Sequence, residues 1–321
     1  MRSMLALILC GILVLGLAGC RRANPGDGTP RPTAREEGVR RPAVAGDFYP
    51  EDPAELAGLV DSFLQDRKPT PGRPIALIVP HAGYPYSGRV AAAAYAELRG
   101  QQYDAVILIG PNHYLEDFFG VAVYAQGSFE TPLGPVPVDA ELAGAILKDE
   151  PGFEDDLTLH AREHSLEVQL PFLQRVLPGT PIVPILIGQP TPENLQALTK
   201  TLTRVLAGRN VLLIASSDLS HYPVYEDAVQ VDRSVLSAIE TLDVATFLDT
   251  LNREMAQGIP NLLTPCCGEG AIVVVMEVAR ALGADRVSLL EYANSGDVPA
   301  GERDRVVGYG AMKFWASRAS P

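Results

Sequence analysis

Short, nearly continuous apolar runs alternate along this chain with segments that carry apolar side chains at helical spacing. Three of the runs end in a histidine: IALIVPHAGY (75–84, with His81), DAVILIGPNH (104–113) and NVLLIASSDLSH (210–221). Runs of this kind are typical of strands buried on both faces of a parallel sheet. Ligands of open α/β sheets bind beyond the carboxyl ends of the strands, so the three histidines are predicted to share one site.

The alternation predicts a single α/β domain with a mostly parallel central sheet and helices on both faces. The predicted strands cover 75–79, 105–109, 120–125, 182–187, 211–215, 287–292 and 307–314. The predicted helices cover 53–65, 87–98, 139–147, 163–176, 192–206, 225–242, 244–252 and 268–282. Residues 127–138 contain three prolines and two glycines and are predicted to form a loop or an edge hairpin.

The N-terminal segment predicts export and attachment to a membrane. An apolar run over 4–17 leads into LAGC (17–20), which resembles a bacterial lipobox with Cys20 as the lipidated residue. A plain signal peptide or a short membrane anchor is the alternative. The expected organisation is a lipoprotein signal peptide (1–19), a flexible tether (20–39) and an α/β domain (40–318). The expected location is the bacterial membrane, in the cell envelope.

Composition and cysteine content narrow the function. The chain has 321 residues, 47% hydrophobic and 20% charged, which is typical of a globular protein. Its net charge of −13 argues against a nucleic-acid partner, since phosphate binding needs clustered Lys and Arg. With Cys10 in the signal peptide and Cys20 lipidated, the domain keeps Cys266 and Cys267. Because these two are adjacent, they allow a strained vicinal disulfide but no long-range framework.

A metal site is the first hypothesis for the strand-end histidines. His81 and His113 follow their strands directly, and neutral imidazole is the commonest biological metal ligand. Cys267 stands before Gly268 at a predicted helix N-terminus, a position expected to lower the pKa of the thiol. Two histidines and one anionic ligand leave coordination positions open, as in catalytic sites. The alternative is that each histidine only hydrogen-bonds to loop backbone.

Asp218 and His221 form a second candidate group in SSDLSH. An aspartate three residues before a histidine can orient the imidazole for acid–base catalysis. Capping of the following turn by Asp218 is the alternative. A Ser-His-Asp hydrolase using Ser216, Ser217 or Ser220 is disfavoured because the chain has no G-x-S-x-G elbow.

His160, Glu163, His164 and Glu167 form a third group at a predicted helix start, where acidic side chains are favourable. The spacing of the two histidines resembles half of a zinc-helix signature, but the glutamate of H-E-x-x-H is absent. We interpret this group first as pocket residues or helix caps and only second as metal ligands.

The chain resembles the Memo family, known in bacteria as protein B of the AmmeMemoRadiSam system. The resemblance runs from about residue 40 to 314. The blocks that carry it are PAVAGDFYP, PHAGYPYSG, GPNH, TPLGPVPVD, EHSLEVQLPFLQ, SSDLSHY, the Cys267-Gly268 pair, YANSGD and GYGA. Memo proteins are similar to class III extradiol dioxygenases, whose strand-end ligands bind non-haem Fe(II), and this implies the same fold here.

The resemblance also implies roles for single residues. His81, His113 and Cys267 match the family's metal-binding triad, and Asp218 and His221 match further residues of the pocket. In the related dioxygenases a histidine placed like His221 acts as the acid–base catalyst. Those enzymes use a carboxylate where this chain has Cys267, and a thiolate favours copper, zinc or a differently tuned iron.

The expected function follows from this resemblance. We expect one transition-metal ion, iron or copper first and zinc as the alternative, in a pocket lined by Phe48, which takes a place often held by Trp. The expected chemistry is metal-dependent redox or oxygen chemistry on an unidentified small molecule. The alternatives are a zinc hydrolase using a metal-bound water and a non-catalytic module that binds a metal or peptide. Expected partners are this substrate, the membrane, and proteins of the AmmeMemoRadiSam system.

Overall fold

Strands and helices alternate through residues 38–115, 117–299 and 301–317, the part of the chain that the computed structural model describes. The strands are β1 Val39–Arg40, β2 Pro74–Val79, β3 Ala105–Pro111, β4 Val121–Val123, β5 Ser128–Thr131, β6 Gly134–Pro137, β7 Ile182–Ile187, β8 Val211–Ser216, β9 Arg286–Asn294 and β10 Gly308–Trp315. The helices are α1 Pro53–Leu64, α2 Tyr84–Ala96, α3 Ala140–Asp149, α4 Leu157–His160, α5 Leu170–Val176, α6 Pro192–Val205, α7 Tyr225–Glu240, α8 Val244–Ala256 and α9 Glu269–Ala281. Short 3-10 helices cover Glu167–Gln169 and Ser295–Asp297.

Seven strands form the central sheet in the order β4-β7-β3-β8-β2-β10-β9. The four neighbours β7, β3, β8 and β2 are parallel. The outer strands β4, β10 and β9 pair antiparallel. The prediction of an α/β fold with a mostly parallel central sheet is confirmed, since four of the seven strands run parallel to one another. The carboxyl ends of the four parallel strands therefore meet at one edge.

Both faces of the sheet are buried, because successive side chains of a strand point to opposite sides. In β2, Ala76 and Ile78 pack into a core cluster that includes residues of α6 and α9. Leu77 and Val79 pack into a second cluster with residues of α1, α2 and α5. Burial on both sides explains why these strands read as continuous apolar runs.

Residues 127–138 form an edge hairpin, one of the two predicted outcomes. Strands β5 and β6 pair antiparallel from Ser128 opposite Pro137 to Thr131 opposite Gly134, and β1 adds parallel to β5. Pro135 and Pro137 lie in β6, an edge strand of this small sheet, where a missing N–H costs no ladder hydrogen bond.

The predicted helix over 163–176 is wrong in its first half. The helical segment begins as a 3-10 turn at Glu167 and continues as α5 from Leu170. The physical reason is that the Glu163 carboxylate accepts hydrogen bonds from the backbone N–H of Ser165 at 2.8 Å and from that of His113 at 2.6 Å, which stabilises a turn in place of a first helical turn. Residues 161–166 therefore form a turn that can reach the edge of the sheet.

The predicted signal peptide (1–19), the lipidation site Cys20 and nearly all of the predicted tether (20–39) lie outside the described residues. None of the helices within the described ranges has both the length and the apolar character that crossing a bilayer requires.

Candidate metal centre

Three histidine rings meet at the carboxyl edge of the parallel strands. His81 lies just beyond β2, His113 just beyond β3, and His164 in the turn before the 3-10 helix. One ligand nitrogen from each lies within 4.8 Å of the other two, the one such group of potential metal ligands in the described residues. The rings of His113 and His164 stack at 4.5 Å, and that of His81 stands edge-on to His113 at 5.1 Å.

The tautomer of His81 follows from its hydrogen bonds. Its Nδ1 lies 2.9 Å from the Ser216 hydroxyl oxygen. That hydroxyl donates its one proton to the carbonyl oxygen of Ser165 at 2.7 Å. Nδ1 of His81 must therefore be the donor to Ser216, which leaves the lone pair on Nε2. Burial, followed by the charge of His113, lowers the pKa of His81 well below its usual value, so the ring is neutral.

A buried network holds Ser216 in this role. Gln169 donates its side-chain amide to the Ser216 hydroxyl at 2.9 Å and to the carbonyl oxygen of Pro80 at 3.1 Å. Tyr95 in turn donates its hydroxyl to the Gln169 amide oxygen at 2.7 Å. Metal-ligating histidines are usually oriented by partners of this kind, and the partners here link β2 to β8 and the 3-10 helix.

Glu163 orients His113 in the same way. Its Oε1 lies 2.9 Å from Nδ1 of His113. Burial opposes ionisation of Glu163, but the hydrogen bond and charge of His113 outweigh it and hold the carboxyl pKa at about 2. The ionised carboxylate only accepts, so His113 donates from Nδ1 and presents Nε2 as a ligand atom.

His164 joins the ligand group although its sequence position first suggested a pocket residue or helix cap. Burial, followed by the charge of His81, lowers its pKa to about 4, so the ring is neutral. Its Nδ1 is buried without a hydrogen-bond partner in the described residues and lies 3.4 Å from Oε1 of Glu163. The ring of Phe48, a predicted pocket residue, lies 4.8 Å from the His164 ring.

Cys267 lies beside His81, with its Sγ 3.2 Å from Nε2 of that ring. Both Cys266 and Cys267 are free thiols, so the vicinal disulfide is absent. The expected lowering of the Cys267 pKa is wrong. Burial, followed by the charge of Asp218, raises this pKa well above its usual value, because loss of solvation outweighs the position before α9.

Asp218 shapes the turn that carries His81. Its Oδ1 accepts the backbone N–H of His81 at 2.7 Å and that of Ala82 at 3.3 Å, and its Oδ2 lies 3.9 Å from Nε2 of His81. Asp218 was predicted to orient His221, but the group that binds this ring is the carbonyl oxygen of Leu219, which lies 2.9 Å from Nδ1 of His221. Burial raises the pKa of Asp218, and the charge of His221 opposes the rise.

A buried ion pair braces the turn that carries His164. Arg40 pairs with Glu167, and neither side chain is more than 2% exposed. Arg40 also donates to the carbonyl oxygen of His160 at 3.2 Å and to that of Glu163 at 2.6 Å. His160 itself packs between aromatic rings, 5.4 Å from that of Tyr124. It therefore lies apart from the ligand group, although it stands four residues before His164.

The sequence pattern predicts no role for Gln169 or Arg40, and it offers Ser216 only as a candidate nucleophile. One weak signal in the sequence points to Gln169: it is a polar residue inside the apolar stretch of EHSLEVQLPFLQ, where a buried polar side chain needs a hydrogen-bond partner. Ser216 contacts His81 and not His221, so the Ser-His-Asp hydrolase gains no support from the structure.

The fold and the site define the class: an α/β protein with three histidines that could hold a metal ion at the carboxyl edge of its parallel strands. The chain belongs to the Memo family, because the family model described as Memo-like protein matches residues 40–313. The resemblance seen in the sequence is thereby confirmed.

Curated relatives agree with this assignment over most of their length. A MEMO1 family protein of Thermoplasma volcanium is 38% identical over 275 residues, 85% of this chain and 97% of the relative. One of Pyrobaculum arsenaticum is 38% identical over 289 residues, 86% of this chain and 99% of the relative. Among solved structures, an uncharacterized Escherichia coli K12 protein aligns with a TM-score of 0.49 and 12% identity, covering 74% of this chain and 98% of that one.

Proposed function

We propose that this protein holds one transition-metal ion at the strand-end site and uses it for redox or oxygen chemistry on a small molecule. The observation that carries the proposal is that His81 and His113 both donate from Nδ1 to fixed partners. Both therefore keep the Nε2 lone pair available, and a ligand nitrogen of each ring lies within 4.8 Å of one from the other ring. Histidines that merely bond to loop backbone have no need of this convergence.

The donor set fits a metal ion. The rings of His81 and His164 are neutral because burial lowers the pKa of each, and neutral imidazole is the form that ligates. His164 has a buried Nδ1 without a hydrogen-bond partner in the described part of the chain, and a bound ion or water would satisfy its ring. His81 and His113 would hold the ion, and either His164 or Cys267 stands close enough to complete the set.

The identity of the ion decides the chemistry. Iron or copper, when bound, would supply electron transfer and oxygen activation. Cys267 would lose its proton on ligation, and the resulting thiolate favours copper or a thiolate-tuned iron. His221 would be the acid–base group. Its Nδ1 donates to the carbonyl oxygen of Leu219, so its Nε2 carries the lone pair that can take a proton from the substrate. Asp218 keeps the His81 turn in place through two backbone hydrogen bonds.

The proposal is tested by purifying the protein anaerobically without added metal, followed by elemental analysis and electron paramagnetic resonance. Wild type should carry iron or copper, and a His81→Ala, His113→Ala double variant should carry none. His221→Ala is the matched control, since it removes an imidazole that lies outside the group of potential metal ligands found in the described residues. Equal metal in wild type and the double variant would falsify the proposal.

A zinc hydrolase is the second candidate, and the three-histidine group favours it, because zinc sites often use such a set with an open position for water. The same measurements separate the two. Zinc alone, without a signal that changes on reduction, would contradict the redox proposal and support hydrolysis.

We place the protein at the bacterial membrane, anchored by lipid on Cys20. The support is LAGC at 17–20 after the apolar run 4–17. A tether over 20–39, rich in Pro, Gly and Arg, would let the domain reach a substrate or a protein of the AmmeMemoRadiSam system near the membrane.

A further inference from the structure

Asp232 is a carboxylate buried in the middle of α7, outside the ligand group. Asp232 is fully buried, with 0% of its surface exposed to solvent. Burying an ionisable group is costly unless specific hydrogen bonds satisfy it. Among the described residues its partners are neutral donors: Oδ1 accepts the backbone N–H of Ser220 at 2.9 Å, and Oδ2 accepts the hydroxyl of Tyr292 at 2.8 Å.

The bond to Ser220 connects Asp232 to His221 through a single peptide group. The carbonyl oxygen of Leu219 and the N–H of Ser220 belong to the same peptide plane. The carbonyl accepts from Nδ1 of His221 at 2.9 Å, and the N–H donates to Asp232. A charge that pulls on the N–H side polarises the peptide and makes its carbonyl a stronger acceptor.

The backbone of β10 packs against the Leu219–Ser220 peptide and Asp232. Gly308 donates its N–H to the carbonyl oxygen of Ser220 at 2.9 Å and accepts the N–H of Leu219 at 2.8 Å. A Cβ at position 308 would lie 2.0 Å from Oδ2 of Asp232, so only glycine lets this strand pass so close. Asp232 binds the N–H of Ser220, and Gly308 binds its carbonyl oxygen. These two hydrogen bonds hold the Leu219–Ser220 peptide in one orientation.

We propose that Asp232 is a positioning residue for His221, which acts through the Leu219–Ser220 peptide to keep the proton of the imidazole on Nδ1 and the lone pair on Nε2. This assignment rests on the proposed function, in which Nε2 of His221 is the acid–base atom. It gives Asp232 the task that a carboxylate performs directly in many acid–base histidines, at a distance of one peptide group.

The ionisation of Asp232 supports this role. Burial raises its pKa to about 7, and the Ser220 and Tyr292 hydrogen bonds oppose the rise. The other titratable groups that face it are Tyr292 of β9, Tyr309 of β10 and Cys266 before α9, and burial raises the pKa of all three away from neutrality. The polarising charge therefore appears around neutral pH.

The experiment measures the two neutral tautomers of His221 by nitrogen-15 NMR of the histidine-labelled full chain, metal-free and zinc-loaded. Wild type should show the Nδ1–H tautomer. Asp232→Asn keeps an acceptor for Ser220 but removes the charge, so the Nε2–H fraction should rise on the order of two- to fivefold. The two proteins are compared above about pH 7, where Asp232 carries its charge in wild type.

Two controls isolate the effect. Glu254→Gln changes a buried carboxylate of α8 that accepts from Ser234 at 2.7 Å, and it should leave the His221 tautomers unchanged. Zinc affinity should be the same in wild type and Asp232→Asn. An unchanged tautomer ratio in Asp232→Asn overturns the inference. Failure of wild type to bind metal at His81 and His113 contradicts the proposed function instead.

Discussion

Glu163 holds His113 at two points: Oε2 accepts its backbone N–H at 2.6 Å, and Oε1 accepts its ring Nδ1 proton at 2.9 Å. One carboxylate therefore sets both where the backbone of His113 lies and which ring nitrogen faces the site. This pairing of carboxylate and histidine is common behind metal ligands.

Replacing Glu163 by Gln should weaken metal binding by about 10–100-fold, the range for loss of an orienting partner. The neutral amide can donate as well as accept, so Nδ1 of His113 loses its fixed role as donor. Competition with a chelator of known affinity measures the change. Glu141→Gln, on the exposed first turn of α3, is the control and should bind metal like wild type. Equal affinity in both variants would contradict the assigned role of Glu163.

The third ligand should depend on the metal. Cys267→Ser should weaken Cu(I) binding by at least about tenfold and zinc binding less, because thiolates prefer soft ions. His164→Ala should weaken zinc more than Cu(I), since its ring nitrogen lies within 4.8 Å of the other two histidine ligand atoms. Competition titrations of both metals against both variants measure this. If neither variant changes either affinity, the site is held by His81 and His113 without them.

The Arg40–Glu167 ion pair should be a strong determinant of stability. Arg40→Met leaves the Glu167 carboxylate buried without its cation and should lower the free energy of unfolding by about 3–5 kcal/mol. Denaturant unfolding measures the loss. Arg175→Met breaks the exposed pair with Asp61 and should cost less than about 1 kcal/mol. Similar losses in the two variants would show that burial of the first pair has no special effect.

The metal-free protein should lose stability as the pH falls from about 6.5 to about 3. Burial, followed by the charge of Arg40, lowers the pKa of His160 from 6.5 to about 3 in the fold. Between these values the unfolded chain binds a proton that the folded chain does not, so stability is full above pH 6.5 and falls below it.

The slope from this one group is at most about 1.4 kcal/mol per pH unit. His160→Phe should lower the slope of unfolding free energy against pH by up to this amount, measured by urea titrations. A smaller slope should remain, because burial also lowers the pKa values of His81 and His164. Tyr124→Phe changes the same pocket without removing a group that titrates in this range, so it should leave the slope unchanged. A slope in His160→Phe equal to that of wild type would assign the acid sensitivity to other groups.

Cys20→Ala should release the protein from bacterial membranes into the soluble fraction. The lipid on Cys20 is the proposed anchor, and the substitution removes its attachment point. Membrane fractionation measures the release of the protein, and metabolic labelling with a fatty acid measures the attachment of lipid. Cys10→Ala, inside the apolar run, should remain labelled and membrane-bound. Label retained after Cys20→Ala would contradict the lipobox.

The sequence by itself determined the α/β fold, the strands that lead to His81, His113 and His221, and membership of the Memo family. These features are local: apolar runs, turn residues and ordered motifs can be read from one stretch of chain at a time. The edge hairpin at 127–138 was predictable for the same reason, from its prolines and glycines.

Only the tertiary structure decided how the site is completed. The partner of His81, Ser216, is 135 residues away, and that of His113, Glu163, is 50 residues away, so no local pattern reveals the tautomers. Burial reversed the expected shift of the Cys267 pKa, because solvation depends on what the folded chain packs around the thiol. The position of the site at the strand ends can be predicted from the sequence. The turn that carries His164 into the site, and the contacts that join Asp232 to His221 through one peptide group, form only when distant segments pack together.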